Sequence, residues 1–403
     1  PDSTPTTRRP AAMDSSPDST PTTRRPAAMD SSPDSTPTTA SAMESASLSS
    51  GKEPAARGRH FFLATGDPSD GLYSAVWILV TIAFCGLSAG LGGATNGWEL
   101  GLYAPLFSHA VQWLVCTLHA FPYQTEVYYD LTGSITYALL AVGTLSITAG
   151  RTRSVHARQL VATAFVLVWC TRLGSFLFQR IRRDSKDGRF DSLKPYFVAF
   201  FGTWNIQGAW CFLTGLAVWA ANARDPAEQP AFGWLDGVGV CVWCVGFGIE
   251  VVADRQKAAW RALPSSKGRY IDVGLWRYSR HPNYFCEVAI WWAFYLFSLA
   301  AGLPLVNWTI SGAAFLTCLF VLPHASLDVT EVLSSRKYPQ YAEYQATVSR
   351  FFPLPPLPAG ERAPMRPVDA VLIGWFCVGL AVTFFVDIEA VLVQRPDLYG
   401  LDA

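Results

Sequence analysis

Residues 160–183 read LVATAFVLVWCTRLGSFLFQRIRR. The stretch stays apolar for close to the ~20 residues that a helix needs to cross a bilayer, then closes on Arg180, Arg182 and Arg183. One cation, Arg172, lies well inside it. A guanidinium at that depth needs a partner, and Glu250 or Asp254, at the end of a later apolar run, can supply one. The segment therefore predicts a membrane-crossing helix with one polar attachment to its neighbours. On this reading Arg172 serves structure as readily as function.

The same pattern recurs along the chain. Apolar runs occupy roughly 73–91, 104–121, 132–150, 159–179, 196–221, 232–252, 283–301, 305–323 and 369–386. They predict an all-α, polytopic transmembrane helical bundle of about nine spans. Half of the residues are apolar and only 15% are charged, where a soluble domain carries roughly a quarter. The 31 Lys and Arg balance 31 Asp and Glu, so no net charge draws the chain to a phosphate backbone, and nucleic acid is excluded as a partner. Nine cysteines are too sparse for a disulfide scaffold. Cys241 and Cys244 form a CxxC inside a hydrophobic run without a second pair, which points to packing and to no metal site. Gly86 and Gly90 form a GxxxG that permits close helix packing.

Outside the apolar runs the chain is different. PDSTPTTRRPAAMDSS fills residues 1–16, recurs at 17–32 and begins again at 33. Rich in Pro, Ser and Thr and nearly free of core-forming residues, positions 1–59 are expected to be a disordered low-complexity arm. Residues 72–355 then form the transmembrane domain, and 356–403 a linker with an additional transmembrane helix. If all nine runs cross, 25 of the Lys and Arg residues share one side, the opposite side holds five, and Arg172 lies within a span. The positive-inside rule makes the basic side cytosolic. The sequon Asn307-Trp308-Thr309 then falls on the lumenal side, close to the membrane.

Potential chemistry gathers in the cytosolic segments. Glu250, Asp254, Lys257 and Arg261 lie within about 60° of one helix face, a charged stripe leaving the bilayer. Pro282 suits the first turn of a helix, and Arg277, Arg280 and His281 precede it, which places cations at the positive end of a helix dipole. That arrangement calls for an anion, a phosphate or carboxylate, and lipid headgroups are a competing source. Tyr284, Glu287, Trp291, Tyr295 and Ser298 then form a polar and aromatic stripe on the apolar span. A carboxylate at the mouth of a membrane helix faces protein or a wet cavity, which favours a functional Glu287. After the eighth span, Lys337, Tyr338, Tyr341 and Tyr344 offer a cation and rings in a short amphipathic stretch.

The run GRYIDVGLWRYSRHPNYFCEVAIWW, with ADRQK before it and RKYPQYAEYQATVSRFFP after it, resembles the steroid 5-alpha-reductase C-terminal superfamily, in particular the subgroup catalogued as domain of unknown function 1295. With WCTRLGSFLFQRIRRDSKDGRFD the similarity covers roughly residues 130–355. The resemblance implies an oxidoreductase acting on CH–CH groups, like the 3-oxo-5-alpha-steroid 4-dehydrogenases. It would use NADPH to reduce a double bond of a lipid or sterol-like substrate, in the endoplasmic reticulum membrane with cytosolic active-site loops. Carried over residue by residue, the cofactor-binding positions are Lys257, Arg261, Trp276, Arg280, His281, Asn283, Tyr284, Glu287, Lys337 and Tyr338, with Tyr284 and Glu287 as the catalytic pair. Cys286 stands where the family commonly has Gly, and Glu287 where the sterol reductases more often have Asp. For a substrate-holding polar pair in the first three spans the candidates are Gln112, Glu126 and Tyr128. An RHP-x-Y element followed by an acid also resembles the isoprenylcysteine carboxyl methyltransferases, which use S-adenosylmethionine. A non-catalytic membrane scaffold with the same fold is the third reading.

Overall fold

The computed structural model describes residues 71–96, 98–305, 307–321 and 326–358. The arm at 1–59, the span at 369–386 and nearly all of the segment 356–403 lie outside the described residues. Among those described, every regular element is helical and none is a strand. The helices are α1 (Gly71–Asn96), α2 (Trp98–Val115), α3 (Tyr129–Thr152), α4 (Ala157–Asp184), α5 (Phe197–Thr214), α6 (Leu216–Ala223), α7 (Trp234–Ala262), α8 (Pro282–Ala300), α9 (Ile310–Val321), α10 (Ser326–Lys337) and α11 (Tyr341–Thr347). Of these, α3, α4 and α7 are long and apolar enough to cross a membrane.

α7 shows how such a helix distributes its residues. Asp236, Gly239, Trp243, Gly246, Glu250 and Ala253 are its buried positions, at alternating steps of three and four, so small and polar groups face inward. Val238, Val245, Ile249 and Val252 are exposed on the outer side. An aliphatic outside and a polar inside suit a lipid surround. A Cβ on Gly239 or Gly246 would come within 3.3 Å of α8, so these two glycines let α8 lie close along α7. Gly86 and Gly90 do no such work, because a Cβ at either meets nothing within 4 Å. Cys241 and Cys244 are also exposed on α7, not packed inside as expected.

Two expected spans change shape. The run 196–221 breaks at Gly215 into α5 and α6. The Trp219 ring folds back over Gly215, leaving no room there for a Cβ, and its indole N–H donates to the Phe212 carbonyl at 3.1 Å. The described part of α9 begins at Ile310, five residues into the apolar run, and its 12 residues cover about 18 Å at 1.5 Å per residue. Its start is set by Asn307, whose Oδ1 accepts the Thr309 backbone N–H at 2.9 Å and the Thr309 hydroxyl at 2.6 Å. That turn buries the sequon: Asn307 is 1% exposed, closed to a glycosyl donor by the fold itself.

Ion pairs fix how α4 and α7 lie together. Arg158 donates to both Asp236 oxygens at 2.6 and 2.8 Å, and to Gln229 at 3.0 Å, with both charged side chains 1% exposed. Fourteen residues further along each helix, Arg172 bonds Glu250 at 2.5 Å. The two attachments, about 21 Å apart along each axis, hold α4 and α7 parallel and in register. Arg158→Met is therefore expected to destabilise the protein by ~3–5 kcal/mol, because Asp236 is left buried without its counter-charge. Arg158→Met combined with Asp236→Leu should recover most of the loss, as read from thermal unfolding of the full chain in detergent.

Candidate functional site

The site grows out of the ends of α4, α7 and α8. Arg172 on α4 reaches two carboxylates one turn apart on α7, Glu250 at 2.5 Å and Asp254 at 2.5 Å, so both partners expected for it are used. Its guanidinium also lies over the rings of Phe176 and Phe247, at 5.8 and 6.0 Å. From the first turn of α8, Asn283 donates to Asp254 at 3.3 Å. One turn beyond Asp254, Lys257 sits 4.3 Å over the ring of Trp276. Trp276 is buried and donates its indole N–H to the Ala253 carbonyl at 3.1 Å. Two acceptors in this group, Glu250 Oε2 and Asn283 Oδ1, are buried with no hydrogen-bond partner among the described residues.

Deeper along α8, Glu287 is held by two indoles. Trp169 donates to one oxygen at 3.1 Å and Trp291 to the other at 2.9 Å. Both rings pack with Tyr137 at centroid distances of 5.0 to 5.4 Å, so the carboxyl group sits in an aromatic setting formed by α3, α4 and α8. Tyr284, one turn earlier, points elsewhere: its ring stacks on His281 at 5.7 Å and on Phe320 at 4.7 Å. The two expected catalytic residues thus share a helix but have different neighbours.

The loop before α8 is built for a fixed position. Gly274 takes a φ of +62°, and the Gln256 side chain closes over it to accept the Leu275 N–H at 2.9 Å. Further on, the Arg280 N–H donates to the Ser349 carbonyl and the Ser279 hydroxyl to the Phe351 carbonyl, at 2.9 and 2.8 Å. The anion that these cations call for is supplied by the chain. Glu331 on α10 accepts from Arg280 Nε at 3.0 Å, Arg280 Nη2 at 2.7 Å, His281 Nε2 at 2.7 Å, Tyr341 Oη at 2.9 Å and Gln345 Nε2 at 2.9 Å. Arg280 Nη1 donates to the carbonyls of Gln345 and Val348, at 2.9 and 2.6 Å. Arg280 and His281 therefore face an internal carboxylate.

Electrostatics follow from that hub. Burial alone would raise the Glu331 carboxyl, but the His281 hydrogen bond and the Arg280 charge hold it well below the usual carboxylate range. Burial lowers His281 against the pull of Glu331, so the ring is neutral and donates from Nε2.

The remaining expected positions lie further out. Arg261 is exposed near the end of α7. Lys337 is exposed at the end of α10, 5.2 Å over the Tyr338 ring, and Tyr338 joins a cluster with Tyr270, Tyr341 and Tyr344. Gln112, Glu126 and Tyr128, the candidates for a substrate-holding pair, each have partners within the fold. Gln112 is bonded to Thr136 and Gln207, Glu126 to Lys194 and the Asp187 N–H, and Tyr128 packs on His119 and Phe178. Sequence reasoning left out Glu331 and Trp169; the uncompensated cations at 277–281 were the signal for the first.

The family profile described as "Protein of unknown function (DUF1295)" matches residues 117–348, more than half of the chain, and the chain belongs to that family. An uncharacterized protein of Schizosaccharomyces pombe, C594.04c, is 35% identical over 158 residues, which is 35% of this chain and 43% of that protein. This chain thus covers less than half of that relative's length. No solved structure matches.

Both hub groups titrate lower in the folded protein than in the unfolded chain, so the unfolded chain binds the extra protons and acid favours it. Stability from the hub is expected to be complete above the ordinary His value of 6.5, to decline as pH falls through it, and to decline again below the ordinary Glu value of 4.5. Glu331→Gln should lower the melting temperature at pH 7.5 and remove the decline below 4.5 while keeping the one at 6.5, measured by unfolding of the detergent-solubilised chain across pH.

Proposed function

We propose that this member of the DUF1295 family is an NADPH-dependent membrane reductase that reduces a carbon–carbon double bond of a lipid or steroid-like substrate, as its resemblance to the steroid 5-alpha-reductase superfamily implies. The observation that carries the reading is the cluster of Arg172, Glu250, Asp254, Lys257 and Asn283, with its two buried, unpartnered acceptors. Acceptors buried without donors are costly, and a ligand bearing N–H groups, such as a nicotinamide carboxamide, relieves that cost. Lys257 and Arg261, one and two turns beyond Asp254, supply positive charge for phosphates. The residues present therefore fit the cofactor.

When bound, NADPH supplies a hydride. The chain's own part is to place the substrate carbon and to manage the proton. A hydride adds only to an electron-poor carbon, so the charge that develops on the substrate must be met by an acid. Glu287, its carboxyl oriented by two indole N–H groups, is suited to hold and release that proton, while an orienting role for Tyr284, whose ring stacks on His281 and Phe320, rests on the resemblance alone. One observation favours a second reading, a non-catalytic scaffold: Arg280 and His281 spend their donors on Glu331.

The finer topology belongs to the same proposal: about nine spans in the endoplasmic reticulum membrane, with residues 253–282 and 324–368 cytosolic by their Lys and Arg excess. Single cysteines placed at Ser266 and Ser335 should react with an impermeant thiol reagent in sealed microsomes. Reaction only after permeabilisation would reverse the orientation.

For the chemistry, NADPH is expected to bind the purified full chain more tightly than NADH or S-adenosylmethionine. Glu287→Gln should lower NADPH oxidation with an enone lipid by about 10²-fold or more while changing NADPH affinity little, the pattern of a group needed mainly in the transition state. Tight binding of S-adenosylmethionine in place of NADPH would replace this reading with the methyltransferase one. Binding of none of the three would favour the scaffold.

A further inference from the structure

Opposite the face that receives α8, α7 turns an apolar face outward. Along it Gly237, Cys241, Cys244 and Gly248 follow at steps of four, three and four, which places them within about 60° of one another around the helix. All four are exposed, and a Cβ on Gly237 or Gly248 meets nothing within 4 Å among the described residues. Val238, Val245 and Val252 flank them and are exposed as well. The face is thus a shallow apolar groove, low where the small residues lie and bounded by a row of valines.

Between helices in lipid, close backbone approach over small residues does what hydrophobic burial does in water. A partner for this groove must carry small residues at the same levels. The apolar run 369–386 does: Ala370, Gly374, Cys377 and Ala381 repeat the steps of four, three and four. That order of steps reads alike in both directions. Two antiparallel helices can therefore set Gly248 against Ala370, Cys244 against Gly374, Cys241 against Cys377 and Gly237 against Ala381.

The path of the chain supplies the direction and the reach. The Leu357 N–H donates to the Thr347 carbonyl at 2.8 Å, at the end of α11. From the same short helix the Tyr344 hydroxyl donates to the Trp276 carbonyl, and Trp276 donates its indole N–H to the Ala253 carbonyl of α7 at 3.1 Å. The last described residues therefore lie on the side of the bundle where α7 ends. Residues 358–369 span up to ~40 Å when extended, ample to bring Ala370 to the level of Gly248. A helix that starts there and crosses the bilayer runs antiparallel to α7.

We propose that the run 369–386 docks as an antiparallel helix in the outward groove of α7, small residue against small residue. The proposal rests on the nine-span reading, in which this run crosses the membrane, and it is independent of the reaction.

The test uses the full chain in phosphatidylcholine nanodiscs, with a protease site inserted between Gly360 and Glu361. Copper–phenanthroline oxidation is expected to join Cys377 to Cys241 or Cys244, because small-residue contacts bring Cα atoms within the ~4.4–6.8 Å that a disulfide bridges. After proteolysis the C-terminal fragment should then stay on the rest of the chain until reductant is added. Cys377→Ala, or Cys241→Ala with Cys244→Ala, should release it without reductant. Gly248→Leu, whose side chain enters open space on α7, should leave the fold intact and abolish most of the link. Gly248→Cys with Ala370→Cys, combined with Cys241→Ala, Cys244→Ala and Cys377→Ala, checks the register from its other end. Whether the run crosses is read separately, from protection of Gly400→Cys against an impermeant thiol reagent in sealed microsomes. Reaction of Gly400→Cys without permeabilisation would remove the span and the proposal with it. In a chain that does cross, no link at either pair would show that lipid covers the groove, and a link only between two chains would give it to a second copy; both overturn the proposal.

Discussion

A guanidinium inside an apolar helix has to be neutralised, and Arg172 is neutralised twice, by Glu250 and Asp254. Much of the architecture around the site depends on this contact. It draws the outer half of α7 onto α4, while Arg158 and Asp236 make the matching attachment at the other end. With α4 and α7 fixed parallel, α8 has one place to lie, along the glycine-lined face of α7. Asn283 then reaches Asp254, and Glu287 reaches Trp169 on α4. One cation inside an apolar helix thereby joins a chain of side-chain contacts across three helices.

Two polar groups result, and they are satisfied to different degrees. At the Glu331 hub every oxygen is taken, and the carboxylate ties α10, α11 and the loop before α8 into one cap. Around Arg172 acceptors outnumber donors, and Glu250 Oε2 and Asn283 Oδ1 are left over. The Glu331 hub leaves one buried nitrogen, His281 Nδ1, without a partner among the described residues, whereas the Arg172 cluster leaves two buried oxygens that a ligand bearing N–H groups can pair. This contrast favours the α4, α7 and α8 cluster as the ligand site of the proposed function, with Arg280 and His281 mainly in a supporting role.

Much of this was legible in the sequence because its causes are local. Eight of the nine apolar runs coincide with helical stretches, α8 begins at Pro282, and the 250–261 stripe is a face of α7. What escaped depends on contacts between distant residues. The break at Gly215 requires the Trp219 ring to turn back over it, and the late start of α9 requires the Asn307 side chain to close on Thr309. Neither leaves a mark on hydropathy. Glu331 is 50 residues from His281, and helical spacing reports only faces of one helix. The same limit hid Trp169 as the partner of Glu287, although both residues stood in segments already singled out.

If the Arg172 contact organises the α4–α7 pair, losing it must cost stability that depends on Glu250. A double-mutant cycle of Arg172→Met and Glu250→Gln, read by thermal unfolding of the full chain in detergent, tests it directly. Arg172→Met is expected to be strongly destabilised and the double variant partly rescued, with a coupling energy above ~1.5 kcal/mol. Additive effects, within about 0.5 kcal/mol, would contradict it.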